Sequence, residues 1–286
     1  MKFSVFTAST PDWTPAEAAT HLAEQGWDGI EWRITDQEES PEPGFWRGNR
    51  ATWPLTGLED HLPAIAEVTR TARLEFSALG GYVRSRDRSN VERMLAATAA
   101  LGAGRVRVTM PGTAEGRYRD LFAATRRDLQ WAEQRAALHG VCVLVELHHR
   151  TIVASASAAI RLVDGLDPRR VGVIHDVGNL VIEGHEDYAA AFDMLGPYLA
   201  HVHVKNAAWQ RAERSRVDGG TTWAETWAPL PDGQADIEAY LRALHAAGYD
   251  GWVTCEDFST TVPLAQRTKD NLAYLKAVEQ NARLSA

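Results

Sequence analysis

Short runs of β-branched and apolar residues alternate with stretches of helical period from one end of the chain to the other. Eight of the runs read as strands: KFSVFT at the amino terminus, WDGIEWR, LEFSAL, RVRVTMPG, VCVLVEL, VGVIHD, LAHVHVKN and DGWVTCED. Runs this apolar suit strands covered on both faces. Between them lie eight helical patterns. The first opens with Thr14 as N-cap, Pro15 at the first helical position and Glu17 three residues after the cap, the signature of a capping box. Others cover residues 58–72, 91–101, 118–139, 236–247 and 262–282, with SASAAIRLVDGL (Ser155 as cap) and HEDYAAAFDML between the fifth and seventh strands. Helix 118–139 is amphipathic through Leu121, Phe122, Leu129, Trp131 and Leu138. Eight strand–helix pairs predict an α/β fold, a single (β/α)8 TIM barrel occupying residues 1–286 as one domain. A doubly wound open sheet competes with it, but the turn after the first strand, ASTPDWT, lacks the glycines that such a sheet uses there. Residues 35–55 keep no period and read either as a lid or binding loop, or as an excursion packed by Trp46 and Trp53.

Four of the strands stop in residues that bind metals or move protons: Glu146, Asp176, His203 and Glu256. In a parallel barrel all carboxyl ends lie on one face, so these side chains converge. A lone glutamate at a strand end is more often a solvated rim residue, and a lone histidine in an apolar strand more often part of the core. Repetition at four strand ends is what packing does not require. Three carboxylates and an imidazole suit one divalent metal ion, Mn2+ first, with Mg2+, Co2+ or Zn2+ able to take its place. His201 and His203 share a face of their strand, and His203 is nearer the carboxyl end. His148 shares its parity with Glu146, one step further out, and is expected to touch substrate ahead of orienting a ligand carboxylate or simply sitting on the rim. Asn179 either hydrogen-bonds a substrate hydroxyl or closes an Asx-type turn, and Lys205 either meets an oxyanion or hydroxyl or is solvated.

Composition narrows the class. Of 286 residues, 45% are hydrophobic and 24% charged, enough apolar material for a large core. A formal charge of −8 without a basic stripe argues against nucleic acid as a partner. Cys142 and Cys255 sit in apolar runs and read as buried strand residues. No signal-peptide core and no membrane span is apparent, so the expectation is a cytoplasmic protein with no membrane partner and the option of a homo-oligomer.

The segments VELHH, HDVGN, HVHVKN, PLPDGQADI and GYDGWVTCEDF together make the chain resemble the sugar phosphate isomerase/epimerase superfamily with the xylose isomerase-like TIM barrel. That group includes ketose 3-epimerases, inosose dehydratases and hydroxypyruvate isomerases and, more distantly, the endonuclease IV class. The resemblance implies a small-molecule carbohydrate substrate, and that Glu146, Asp176, His203 and Glu256 bind one metal ion that stabilises an enediolate, with isomerisation or epimerisation set by where the proton returns. Glu146, Glu256 and His148 are the expected catalytic residues, and Asn179, Lys205, Trp32 and Arg211 the expected substrate contacts. The ketose 3-epimerases carry a further glutamate where this chain has Ile152, and an arginine where it has Trp209, with Arg211 close by. Lys205 and Glu183 join the acid/base candidates, and Trp46, Trp209, Trp223 and Trp227 the candidate walls. The departure at Ile152 keeps open an inosose or keto-sugar dehydratase, or a 3-keto-glycoside lyase, on the same barrel. An endonuclease IV-like phosphodiesterase fits the acidic chain less well, and a non-catalytic barrel fits the intact ligand set less well.

Overall fold

A computed structural model describes residues 1–212 and 219–284. Eight parallel strands close into a barrel: β1 (Lys2–Phe6), β2 (Gly29–Ile34), β3 (Glu75–Gly81), β4 (Arg105–Val108), β5 (Cys142–Glu146), β6 (Val171–Asp176), β7 (Leu199–Val204) and β10 (Trp252–Cys255), with β10 hydrogen-bonded to both β7 and β1. These are the eight runs that the apolar pattern predicts. Every residue of β5 and β6 is buried, as strands with a filled interior on one side and helices on the other require.

Helices follow the strands with the expected starts. In α1 (Pro15–Gln25), Thr14 accepts from the Glu17 amide and Glu17 accepts in return from the Thr14 amide. Ser155 caps α5 (Ala156–Val163), and Asp236 caps α8 (Ile237–Ala246). The helix predicted at 118–139 is α4 (Tyr118–His139).

Two elements were not apparent in the sequence pattern. Residues 177–183 form a short helix, α6 (Val177–Glu183), where DVGN suggests only a turn. Asp176 caps it by accepting from the amides of Gly178 and Asn179. Gly178 is needed there, because a Cβ would fall 2.3 Å from Lys205 Cγ and 2.8 Å from the Lys205 carbonyl oxygen. After β7 the chain forms an antiparallel pair, β8 (Asn206–Arg211) with β9 (Trp223–Ala228), paired from Asn206↔Ala228 to Arg211↔Trp223. Its mixed small, polar and aromatic residues lack the apolar run or clean alternation by which a strand is recognised.

The aperiodic segment after β2 is tied down. Trp53 bridges to Ile34, and buried Asn49 donates to the carbonyls of Thr7 and Ala8 at the end of β1. Among the described residues no helix is long and apolar enough to cross a membrane.

Candidate metal centre

The register of the barrel explains the convergence. Asp176 and Thr254 both pair with His203, and Glu146 pairs with Ile174, two residues before Asp176. Glu256 lies two residues beyond Thr254. All four side chains therefore reach the same end of the interior, where one donor atom from each lies within 4.8 Å of the others and all are buried. His203 Nδ1 is 3.6 Å from Glu146 Oε1 and 3.9 Å from both Asp176 Oδ2 and Glu256 Oε2.

His203 is held from behind. Its Nε2 lies 3.1 Å from Glu31 Oε2, and His201 Nε2 lies 3.0 Å from the same oxygen. With Nε2–H donating to Glu31, Nδ1 faces the carboxylates, and it has no hydrogen-bond partner among the described residues. An orphaned ring nitrogen among three carboxylate oxygens, oriented by a fourth carboxylate on its far side, fits a divalent ion.

Other buried groups set the charge. Arg107 Nη1 donates to Glu146 Oε2 at 2.8 Å, and its Nε donates to the Gly81 carbonyl. Lys205 Nζ donates to Asp176 Oδ2 at 2.5 Å and to Glu256 Oε2. Burial is the largest influence on Glu146 and opposes its ionisation, but Arg107, His203 and Lys205 together outweigh it and hold the carboxyl well below its usual range. Asp176 goes the other way, pushed up to about 7 by burial and by Glu256 and Glu146, against the pull of Lys205. Burial disfavours a charged His203, yet Glu31 and the other carboxylates raise its imidazole well above the ordinary value.

Glu146, Glu256 and Lys205 reach the floor of a cavity of about 750 Å3 that His148 also lines, whereas Asp176 and His203 are fully buried and outside its lining. His148 stacks on His149 with ring centroids 4.4 Å apart. Burial and the neighbouring His148 push His149 down to about 4, and its Nδ1 lies 2.9 Å from Asn179 Oδ1. Asn179 does not line the cavity. Its amide donates to Asp176 Oδ2 and the Leu147 carbonyl, both at 3.0 Å, so it supports the cluster from beneath.

Some sequence-based expectations fall elsewhere. Trp32 is fully buried between barrel and helix, donating from Nε1 to Thr69 Oγ1, and is no part of the cavity wall. Trp32 follows Glu31 directly, so once Glu31 points into the barrel its neighbour must point out. Arg211 is exposed on β8 and outside the cavity lining. Trp209 donates to the Val181 carbonyl and Trp223 is exposed, so neither lines the cavity, whereas Trp46 and Trp227 do. Glu183 accepts from the Arg150 amide rather than facing the floor. The residues that sequence reasoning missed are Arg107, Glu31, Phe6, Tyr82 and Phe258. A charged residue at every second position of RVRV, and Glu inside GIEWRI, were the available signals, since period two puts such charges on one face.

Residues 20–278 match the xylose isomerase-like TIM barrel family. The chain belongs to that family. Curated relatives include inosose dehydratases of Geobacillus thermodenitrificans, 29% identical over 125 residues, and of Bacillus velezensis, 30% identical over 125 residues. Each alignment spans 42% of this chain and 42% of the relative, so the chain matches less than half the length of these enzymes. The same barrel occurs in the 3-keto-D-glucoside 4-epimerase YcjR of E. coli (TM-score 0.72, 20% identity, 97% of this chain and 99% of that one). It occurs also in the IOLI protein, solved with a bound zinc atom (TM-score 0.73, 17% identity, 99% of both chains). A family member from Mycobacterium smegmatis in complex with magnesium shares it too (TM-score 0.68, 18% identity, 98% of this chain and 97% of that one).

Proposed function

We propose that this protein is a divalent-metal-dependent enzyme that removes a proton beside the carbonyl of a sugar, keto-sugar or sugar derivative and returns it to give an isomer or epimer. The observation that carries this reading is the convergence of Glu146, Asp176, His203 and Glu256 at the point where Glu146 and Glu256 reach the cavity, with His203 Nδ1 turned into the space between the carboxylates. A divalent ion held by those four, Mn2+ first, would act as a Lewis acid on the carbonyl.

The chain's own residues supply the rest. Glu256 reaches the cavity and is placed to take the proton, while Lys205, bonded to Glu256 and Asp176, carries positive charge to the point where negative charge develops. His148, on the cavity wall, is the second proton carrier. Arg107 and Asn179 hold Glu146 and Asp176 in place. The test is solvent-deuterium incorporation into a panel of ketoses, keto-glycosides and keto-cyclitols by Mn2+-loaded protein. Exchange at the carbon beside the carbonyl supports the reading, and none on any member refutes it.

Dehydration is the second reading, favoured by two observations. The relatives matched in sequence are inosose dehydratases. The position of the further glutamate in ketose 3-epimerases is Ile152, buried and outside the cavity lining, so no carboxylate stands there for the opposite face of a substrate. Elimination needs one base and one acid for the leaving hydroxyl, which Glu256 and His148 suffice to provide. An enone absorbing in the ultraviolet, formed alongside exchange, distinguishes it from epimerisation.

A further inference from the structure

The floor and the mouth of the cavity are built from different materials. Glu146, Lys205 and Glu256 make a polar floor, whereas Trp46, Trp227 and Phe258 wall the mouth. Phe258 is the hub, with its ring centroid 4.7 Å from Trp46 and 5.5 Å from Trp227. The volume of about 750 Å3 falls within the roughly 300–1,000 Å3 of pockets that enclose drug-sized ligands, more than one pyranose or cyclitol ring fills.

Trp46 is 52% exposed, yet it is not loosely held. Arg33 Nη2 donates to its carbonyl at 3.3 Å. Three residues on, Asn49 is 1% exposed and donates to the carbonyls of Thr7 and Ala8, while Gln37 bonds both the amide and the carbonyl of Asn49. The chain around the ring fixes it, and the ring's own burial does not. A large apolar side chain pre-positioned on a cavity edge binds without the cost of being ordered.

Charge limits what enters. Each arginine and lysine among the described lining residues already has a carboxylate partner: Arg84 with Glu115, Arg107 with Glu146, Arg150 with Glu225, and Lys205 with Asp176 and Glu256. An anionic ligand would have to compete with these carboxylates.

We propose that Trp46, backed by Phe258 and Trp227, forms an outer subsite for a second ring. The ligand is then an uncharged glycoside: its carbonyl-bearing ring lies over the carboxylate floor and its other ring, a sugar or an aromatic aglycone, stacks on Trp46. The role of the floor rests on the function proposed above, but the subsite is tested by binding alone.

The experiment is calorimetric titration of Mn2+-loaded protein with methyl β-D-glucopyranoside, phenyl β-D-glucopyranoside, cellobiose and glucose 6-phosphate. Stacking of a second ring predicts that the phenyl glycoside, cellobiose or both bind about tenfold more tightly than the methyl glycoside. Which of the two gains identifies the ring the subsite prefers. Trp46→Ala, with the fold checked by circular dichroism, removes that gain and changes methyl glycoside affinity less than about twofold, and Trp46→Phe retains most of it. Equal binding of one-ring and two-ring probes, a gain that survives in Trp46→Ala, tightest binding of glucose 6-phosphate, or no binding of any probe overturns the proposal. Ring preference without deuterium exchange on any carbonyl compound strikes the proposed function and leaves the subsite standing. Exchange without ring preference does the reverse.

Discussion

The four strands that deliver the carboxylate cluster, β5, β6, β7 and β10, are neighbours around the barrel, and β1 to β4 form the other half. The first half presents Glu146, Asp176, His203 and Glu256. The second presents Phe6, Glu31 and Arg107, with Tyr82 just past β3. None of these is in the candidate ligand set, yet they act on it across the interior. Arg107 reaches over the seam to Glu146, Glu31 pins the far side of His203, and the Phe6 ring lies 5.8 Å from the His203 ring. Arg107 in turn rests on the faces of Phe6 and Tyr82, 4.9 and 4.6 Å from their centroids. Gly80 makes room for this: a Cβ there would fall 2.0 Å from Phe6 Cε2. One half of the rim supplies the donors, and the other adds to the charge and orientation that Lys205 and Asn179 set from the donors' own side. Damage to the first should abolish function, and damage to the second should tune it.

The largest effects are expected from Asp176→Asn and Glu146→Gln. Each removes an anionic donor, so Mn2+ content by elemental analysis should fall from about one per chain to near zero. Deuterium exchange should drop by more than the roughly 10–100-fold that loss of an outer partner costs. Retention of metal and exchange in both variants would mean that the ion, if any, lies elsewhere. Next comes Arg107→Met in the other half. Arg107 and Glu146 side chains are 4% and 7% exposed, and stripping one partner from a buried pair costs about 3–5 kcal/mol. Urea denaturation in the presence of a chelator should show a loss of that order, and Mn2+ should recover part of it by replacing the missing positive charge. A loss of under about 1 kcal/mol, the scale of an exposed pair, would mean that Arg107 does not neutralise the cluster.

The same division decides what could be read from the sequence. The donor half was legible because carboxylates and histidine interrupt otherwise apolar strands at their carboxyl ends, where a barrel gathers side chains. The orienting half was not, because an arginine or glutamate inside a strand has many ordinary uses and only the closed register shows which residue it meets. Glu31 and His201 are 170 residues apart yet share one hydrogen bond. Trp32 was assigned to the wrong side of β2 because its partner, Thr69, lies on α2 (Leu58–Thr71), and nothing local points there. The β8–β9 pair escaped notice for another reason: it lies outside the barrel, where neither face needs an unbroken apolar run.

Glu31→Gln sharpens the comparison at smaller amplitude. The amide oxygen can still accept from both imidazoles, as Oε2 does in Glu31, but it carries no charge to favour His203 Nε2–H. The bias that keeps Nδ1, the proposed metal ligand, free of a proton weakens. Metal affinity by calorimetry should weaken about 10–100-fold while metal still binds, which separates this variant from Asp176→Asn. An unchanged affinity would reduce Glu31 to packing.

The smallest effect concerns two histidines that face opposite ways at the same rim. His203 points inward to carboxylates, and His175 points outward, its Nδ1 2.8 Å from the Tyr240 hydroxyl and its ring edge-on to Phe192. Burial alone pushes His175 down to about 3. Its pKa is therefore lower folded than unfolded, so its contribution to stability is present above about pH 6.5 and is lost as pH falls towards 3, because only the unfolded chain takes the proton. His203, raised, and Asp176, raised to about 7, have the opposite sign: their contributions are present at low pH and disappear as pH rises through the folded values. Both remain in His175→Gln, so the difference between wild type and variant isolates His175. In metal-free protein between pH 6.5 and 5, the variant should lose less Tm per pH unit than wild type, by at most the equivalent of about 1.4 kcal/mol per unit. Parallel pH profiles would mean that His175 charges as readily in the folded protein as outside it, and the outward face of the rim would then be no drier than the inward one.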